Sequence, residues 1–335
     1  MSPTALAGLS DDLLFAAVLL YALSMLGFAG EQASRRSRRV AAAAAEREAV
    51  RSAAAERTRV MAGAGGPAVP VTPPPAPAAA SSRSRAGSLG LLLTLIGALV
   101  HAGSIVTRGL AADRVPWGNM YEFSSAVALT VVACFLVLVA TRKVESGLGA
   151  FVMVPVVLYL GLAGTVLYTA AGPLVPALDS YWIKIHVFAA VLASGAFMLS
   201  GVIALLYLLR ARHDEQVAAG APTRFPVSMG DSLPAAATLD RVTYAVIAFA
   251  FPIWTFAIIA GAIWAEAAWG RYWGWDPKET WSFITWVLYA GYLHARATAG
   301  WKGTKAAWIA VAAAVTLVIN YYVINIFVVG FHSYA

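Results

Sequence analysis

Four of the five histidines lie within, or at the edge of, long apolar runs. These four are His101, His186, His294 and His332, whereas His213 lies in a charged segment and is expected to be solvated. A single imidazole in an apolar run is usually a hydrogen-bonding contact between helices, but four of them indicate a shared chemical role. Neutral imidazole is the side chain that most commonly ligates metals. The pattern therefore indicates metal ligation.

Tryptophan is concentrated in residues 264–281, which contain five of the chain's eleven tryptophans. An aromatic belt at a membrane interface needs only scattered aromatic residues. In this segment Trp269, Trp273 and Trp275 are interleaved with glycines that permit close backbone approach, and Asp276 then opens a turn. The segment is compatible with a simple belt, or with a flat aromatic platform for a large planar apolar ligand.

The elements that must position these residues are membrane helices. Of the 335 residues, 60% are hydrophobic and only 12% are charged, whereas soluble domains carry about 25% charged residues. A water-soluble enzyme is thereby excluded. Apolar runs of about 20 residues, the span of a bilayer core, recur at 12–29, 87–108, 123–140, 148–170, 184–209, 242–264, 280–298 and 306–330. The sequence predicts an all-α, polytopic transmembrane helix bundle of about eight spans.

The distribution of basic residues predicts how this bundle is oriented. With the N-terminus outside, 19 of the 24 Lys and Arg residues fall in cytoplasmic loops, as the positive-inside rule requires. Both termini are then predicted to lie outside the cytoplasmic (plasma) membrane. The same orientation places His186, His332 and the Trp-rich segment together on the outer face.

Residues 31–86 interrupt the apolar pattern with a basic run, an Ala/Glu/Arg stretch and a proline run. We expect a mostly disordered cytoplasmic linker, whose basic residues favour retention inside and attract anionic lipid. Nucleic-acid binding is a remote alternative. The expected organisation is a first transmembrane helix at 1–30, this linker, and a seven-helix membrane domain at 87–335.

Two imidazoles can fill both axial positions of haem iron. His186 and His332, beside the Trp-rich segment, therefore predict a bis-histidine haem site. His101 and His294 would form a second pair inside the bilayer, although they lie roughly 20 Å and roughly 5 Å from the inner ends of their helices. No residue is identified as catalytic. Because Cys134 is the single cysteine, any reacting thiol pair must come from a partner.

Residues 269–279, with the sequence WGRYWGWDPKE, resemble the tryptophan-rich WWD signature of the haem-handling proteins of cytochrome c biogenesis. Within that superfamily, the chain most resembles the System II component of the CcsA/ResC type, also called CcsB in some bacteria. The likeness includes residues 116–122, 292–296 and 330–334. Residues 31–86 have no match in the family pattern.

This resemblance implies a haem conduit and cytochrome c synthase. Haem b would pass His101 and His294 from the cytoplasmic side and be presented between His186 and His332, against the Trp platform and Asp276. The CxxCH thiols of an apocytochrome c would then add to the haem vinyl groups. The implied partners are a CcsB/ResB-type membrane protein, apocytochrome c, thioredoxin-like thiol reductants and membrane lipid.

Charge complementarity makes Arg271 and Arg114 candidates for pairing with haem propionates. Asp276, Lys278 and Glu279 are expected to act as turn and helix-start residues. Two other functions would use the same histidines: an electron-transfer subunit with two bis-histidine haems, and a haem exporter without covalent attachment. A Trp-rich external loop has no evident use in the electron-transfer subunit.

Overall fold

The computed structural model describes residues 1–63, 84–174, 178, 180–298 and 300–332, and the regular elements in these ranges are helices. Their bounds are α1 Pro3–Gly63, α2 Arg85–Ala112, α3 Met120–Ala140, α4 Gly149–Val166, α5 Tyr181–Ala218, α6 Ala236–Trp269, α7 Pro277–Ala297, α8 Thr304–Val318 and α9 Ile324–Phe327. A π-helical turn, Ile319–Val323, joins α8 to α9. The predicted all-α bundle is confirmed for this part of the chain.

Among the described residues, seven helical segments are long and apolar enough to cross a membrane. They are α1, α2, α3, α4 with the short turn before it, α5, α6 and the continuous α8–α9 segment. These segments correspond to seven of the eight predicted spans. The remaining one, α7, is a helix at the expected place, but its charged and polar residues lower its hydropathy.

α7 lies antiparallel to α6, as two contacts show. The Trp286 indole near its middle donates to Thr255 at 2.9 Å, and Arg296 near its end pairs with Asp240 near the start of α6 at 2.6 Å. A neighbouring side of α7 contacts α8, where the Thr285 hydroxyl donates to Thr316. The 21 residues of α7 rise about 31 Å, close to the ~30 Å of a bilayer core. α7 therefore has the length and the neighbours of a spanning helix.

α1 and α2 pack along a seam whose buried residues alternate at spacings of three and four, the period of a coiled coil. On α1 the seam residues are Ser10, Leu14, Ala17, Tyr21, Ser24, Phe28 and Glu31. On α2 they are Gly87, Gly90, Thr94, Gly97, His101, Ser104 and Arg108. The small residues let the backbones approach closely, since a methyl group on Gly27 would lie 2.8 Å from the Gly90 Cα.

α5 lies at the centre of the bundle, packed against α3, α6 and α8. Its Phe197 ring stacks on Tyr289 of α7 with 3.6 Å between centroids, and it contacts Trp254 of α6 edge-on. This packing fixes the position of α5, whose second turn carries His186. That turn lies at the end of the bundle where α6 ends and α7 begins, which we call the aromatic end.

Residues 31–63 continue α1 as a helix. Their Ala, Glu and Arg residues are strong helix formers. The 61 residues of α1 have a contour length of about 92 Å, three times the thickness of a bilayer core. Residues 64–83, with the proline run, lie outside the described residues. The division into a first helix, a linker and a membrane domain stays a prediction.

The expectation that His213 is solvated is wrong. α5 continues as a helix to Ala218, and the charged segment packs on a short helical turn, Val227–Ser232. The His213 side chain is 8% exposed, its Nδ1 lies 3.4 Å from Asp214 Oδ1, and the ring lies against Gly230. It contributes to packing at the end of the bundle opposite the aromatic end.

A buried cluster of charges ties together the helices of the aromatic end. The Glu122 carboxylate on α3 accepts hydrogen bonds from Arg108 Nε at 2.9 Å, Arg114 Nη1 at 2.7 Å and the Gly118 amide at 2.8 Å. Arg114 also donates to the Gly172 carbonyl, beyond α4. The cluster thereby holds the loop between α2 and α3 against the rest of the bundle.

Replacing Glu122 by Gln should destabilise the protein by about 3–5 kcal/mol, because breaking a buried ion pair leaves its partners uncompensated. Thermal unfolding of the detergent-solubilised chain measures the effect. Glu215→Gln is the matched control, since its pair with Arg212 is more than half exposed and is worth about 1 kcal/mol or less. Equal melting temperatures for the two variants would contradict the prediction.

Candidate functional site

A cavity opens at the aromatic end and brings together several residues singled out from the sequence. Its empty volume is about 1520 Å³, a figure that includes the space open to solvent at its mouth. Its walls come from α3, α5, α6, α7, the α8–α9 segment and the loop before α3. Its lining residues include Trp117, His186, Trp273, Lys278, Asn320 and His332.

His186 reaches the cavity from the second turn of α5. Its Nδ1 donates a hydrogen bond to the Ala257 carbonyl of α6 at 2.8 Å. Its ring lies parallel to Trp264, with 6.2 Å between centroids and 7° between planes. Gly261 permits this approach, because a Cβ there would lie 2.7 Å from the His186 Nδ1. The ring is thus held on two sides.

His332 reaches the same cavity from the segment that follows α9. Its Nδ1 donates to the Asp276 carboxylate at 2.9 Å, and the neighbouring Phe331 amide donates to the other Asp276 oxygen at 2.8 Å. The His332 ring also contacts Trp269 and Trp264 edge-on, with centroids 4.9 and 5.7 Å apart. Both histidines of the predicted outer pair therefore contact Trp264.

The charge states of Asp276 and His332 follow from their surroundings. Burial lowers the pKa of His332, against the opposing effect of the Asp276 carboxylate. Burial would raise the pKa of Asp276, but hydrogen bonds from His332 and the Phe331 amide outweigh it and hold that pKa below its usual value. Near neutral pH the pair is thus a neutral imidazole that donates to a carboxylate.

The hydrogen bonds of both histidines place the proton on Nδ1, since a carbonyl and a carboxylate only accept. Nε2 is then the ring nitrogen with the lone pair suited to a metal. Metal-ligating histidines commonly hold their other nitrogen against a carbonyl or carboxylate in this way. The same tautomer, with the hydrogen on Nδ1, is thus assigned to His186 and His332.

The predicted flat aromatic platform is not what the structure contains. Trp273 lines the cavity, but Trp269 packs edge-on against Trp264 at 65° between planes. Trp275 is 64% exposed and contacts Trp273 at 88°. The ring planes follow local packing contacts, and the cavity wall is built from ring edges and faces of different residues. Trp264 and Tyr272, not among the predicted site residues, belong to the surroundings of the histidines.

Asp276 and Glu279 act as helix-start residues, as expected, through a capping box at the first turn of α7. The Glu279 carboxylate accepts hydrogen bonds from the Gly274 and Asp276 amides at 2.8 and 2.9 Å. Trp275, between them, adopts a left-handed conformation with φ of +57°, which is rare for a bulky residue. The loop is therefore fixed in shape by its own carboxylates.

The structure does not bring His101 and His294 together. His101 is fully buried, with Nε2 2.9 Å from Ser125 on α3 and Nδ1 3.3 Å from Tyr21 on α1. His294 is exposed, one turn from the end of α7, and α7 packs on α6 and α8, whereas α2 packs on α1 and α3. A joint role for this pair stays a prediction drawn from the resemblance.

Both arginines proposed for propionate binding lie close to carboxylates of the protein itself. Arg114 belongs to the buried Glu122 cluster, and Arg271 lies 3.7 Å from Glu279 and over the Phe331 ring. The cavity cation that the sequence analysis missed is Lys278. A lysine at the start of a membrane helix commonly extends to the interface, so its position in the sequence gave no signal of a place in the cavity.

Fold and site together define the class: a polytopic helical membrane protein with two oriented imidazoles on one apolar cavity, beside a Trp-rich loop. Residues 117–332 match the family model described as Cytochrome C assembly protein. The chain therefore belongs to the cytochrome c assembly protein family, which confirms the resemblance stated above. The matched residues include His186, His294 and His332 but not His101.

Individual relatives agree with this assignment. The chain is 34% identical over 253 residues to cytochrome c biogenesis protein CcsA of Guillardia theta, covering 72% of this chain and 83% of the relative. It is 32% identical over 291 residues to CcsA of Gloeobacter violaceus, covering 73% and 86%. It is 33% identical over 293 residues to CcsA of Microcystis aeruginosa, covering 73% and 87%.

Gly330→Ala should release the segment that carries His332. A Cβ on Gly330 would lie 2.6 Å from the Asp276 Oδ1, so the segment must move away from the carboxylate. We expect the Phe331 amide to exchange with deuterium at least ~10-fold faster, since a lost charged hydrogen bond is worth about 1.5–3 kcal/mol. Gly291→Ala is the control, because a Cβ there meets nothing within 4 Å. Unchanged exchange at Phe331 would count against the described contact.

Proposed function

We propose that this protein presents haem b to apocytochrome c for covalent thioether attachment, as the haem-holding component of a cytochrome c synthase. The observation that carries the proposal is the pair His186 and His332. These two imidazoles come from separate elements, are held by Nδ1 hydrogen bonds and line one cavity at the aromatic end. Two neutral imidazoles are a ligand set for haem iron.

The rest of the cavity fits a porphyrin substrate. Its lining is mostly apolar, with Val187 and Ile258 beside His186 and with Trp254 and Trp273 among the aromatic residues. Its open mouth would leave one edge of a bound molecule accessible. An apolar surround also controls the dielectric at the iron. Haem is the substrate of the proposed reaction, and it leaves the site as part of the cytochrome.

The protein's own contribution would be to hold this substrate and orient it. Each thiol of a CxxCH segment adds its sulfur to one carbon of a haem vinyl group and its hydrogen to the other, so that no atom leaves. Positioning of reacting groups can supply much of such a rate enhancement. The roles of His186 and His332 are to fix the ring, and Asp276 would keep His332 in the ligating tautomer.

The same proposal includes the finer details drawn from the resemblance. They are the outer face of the plasma membrane as the location of the aromatic end, a CcsB/ResB-type membrane partner, and thioredoxin-like proteins that keep the apocytochrome cysteines reduced. Thiolate is the reactive form of cysteine, so oxidised partner cysteines would not react.

Covalent attachment distinguishes this proposal from a haem exporter and from an electron-transfer subunit. The chain is expressed with its membrane partner and a CxxCH reporter in cells that lack their own assembly system. We expect reporter haem that resists extraction with acid acetone. Reporter haem that is fully extractable would contradict the synthase function.

His186→Gly and His332→Gly should each weaken haem binding by more than the ~10–100-fold that loss of a histidine's hydrogen-bond partner costs a metal site. Added imidazole should restore binding, since it supplies the missing ligand. Titration with haem, followed by absorption spectroscopy, measures both effects. His213→Gly, at the opposite end of the bundle, is the control for loss of an imidazole. Variants at 186 and 332 that bind haem with an unchanged spectrum would refute the assignment.

A further inference from the structure

Lys278 places an amine on the wall of the cavity that holds His186 and His332. Its Nζ donates to the Asn325 side-chain oxygen at 2.8 Å and to the Asn320 carbonyl at 3.2 Å. Both acceptors are neutral. An ammonium group has three N–H donors; these contacts use two of them, and the centroid of the Tyr321 ring lies 5.2 Å from Nζ.

Within the described part of the chain, Lys278 forms no ion pair with a carboxylate. Asp276 is near it in sequence, but the Asp276 oxygens accept from Phe331 and His332 and from the Lys278 backbone amide. Glu279 turns instead to the Gly274 and Asp276 amides. An ammonium removed from bulk water without a counter-ion is costly, so an anionic ligand in the cavity would stabilise the charged form of Lys278.

Four further polar side-chain atoms of residues that line the cavity lack a hydrogen-bond partner among the described residues. They are the indole Nε1 of Trp117, the side-chain oxygen of Asn320, the Tyr322 hydroxyl and Glu279 Oε1. Buried polar groups without a hydrogen bond are rare in folded proteins, and each needs an explanation. A ligand carboxylate would accept from the two donors among them, the Trp117 indole and the Tyr322 hydroxyl.

Other cations near the cavity are less suited to this role. Arg114 is committed to Glu122, and Arg271 is close to Glu279. Lys184 also lines the cavity, but its side chain is exposed to solvent at the mouth. Exposed ion pairs contribute little, whereas a charge-assisted hydrogen bond in a partly enclosed cavity is strong. Lys278 therefore has the position from which an anionic group is recognised best.

We propose that the Lys278 ammonium binds a propionate carboxylate of the haem that His186 and His332 ligate. The inference rests on the proposed function. It assigns two parts of the substrate to different parts of the cavity wall: the central iron to the imidazoles, and a carboxylate at the ring edge to the start of α7. Lys278 thereby fixes the rotation of the macrocycle about the axis through the iron, and with it the direction in which the vinyl groups point.

The test compares haem b with its dimethyl ester, in which both propionates are neutral while the iron and the ring are unchanged. Both are titrated into the purified full-length chain by absorption spectroscopy. We expect the unaltered chain to bind haem at least ~10-fold more tightly than the ester, since a charged hydrogen bond is worth about 1.5–3 kcal/mol. In Lys278→Met this preference should disappear while the bis-histidine bands remain.

Two variants and one control complete the test. Lys278→Arg keeps the charge and should retain the preference, whereas Lys278→Gln, a second neutral variant, should lose it even if Lys278→Met does not fold. Lys302→Met removes an exposed lysine at the opposite end of the bundle and should behave like the unaltered chain. Equal affinity of the unaltered chain for haem and ester, or the same loss for both ligands in the neutral variants, would overturn the Lys278 assignment alone. Failure of the unaltered chain to give bis-histidine bands with haem would instead refute the proposed function.

Discussion

The hydrogen bond between the Asp276 carboxylate and His332 is the interaction on which the candidate site depends. The same carboxylate caps the first turn of α7 and accepts the Phe331 amide. A negative charge at a helix N-terminus is also favourable for the helix dipole. One side chain therefore joins the start of α7 to the segment after α9, so that His332 is held against the start of α7.

The charged groups near this site differ in their partners: Glu122 pairs with arginines, whereas Lys278 contacts neutral oxygens. In the Glu122 cluster, Glu122 pairs with Arg108 and Arg114, and Arg108 also lies 3.8 Å from Asp11, so acidic and basic groups balance. Lys278 has neutral acceptors and lines the cavity. In a low-dielectric bundle, removing one partner of a balanced cluster is costly, whereas a cationic group with neutral partners favours ligands of opposite sign.

Hydrophobic length predicted most of the fold because a bilayer requires about 20 apolar residues per helix. Only α7 departs from that rule, since its neighbours supply the apolar contacts. Orientation from basic residues grouped His186 and His332, which do share a cavity. The arrangement of tryptophan ring planes depends on contacts between distant residues, such as Trp269 with His332, and sequence spacing does not contain that information. The role of Lys278 was missed because its asparagine acceptors come from another helix.

His101 illustrates a different limit of sequence reasoning. Its position on the α1–α2 seam, with hydrogen bonds to Tyr21 and Ser125, explains its burial by helix packing alone.

The two cavity histidines belong to α5 and to the segment after α9, so a molecule bound by both would interact only with the assembled bundle. By mass action, such a molecule would raise the free energy required to separate these elements. Substrate binding and the stability of this half of the protein would then be thermodynamically linked.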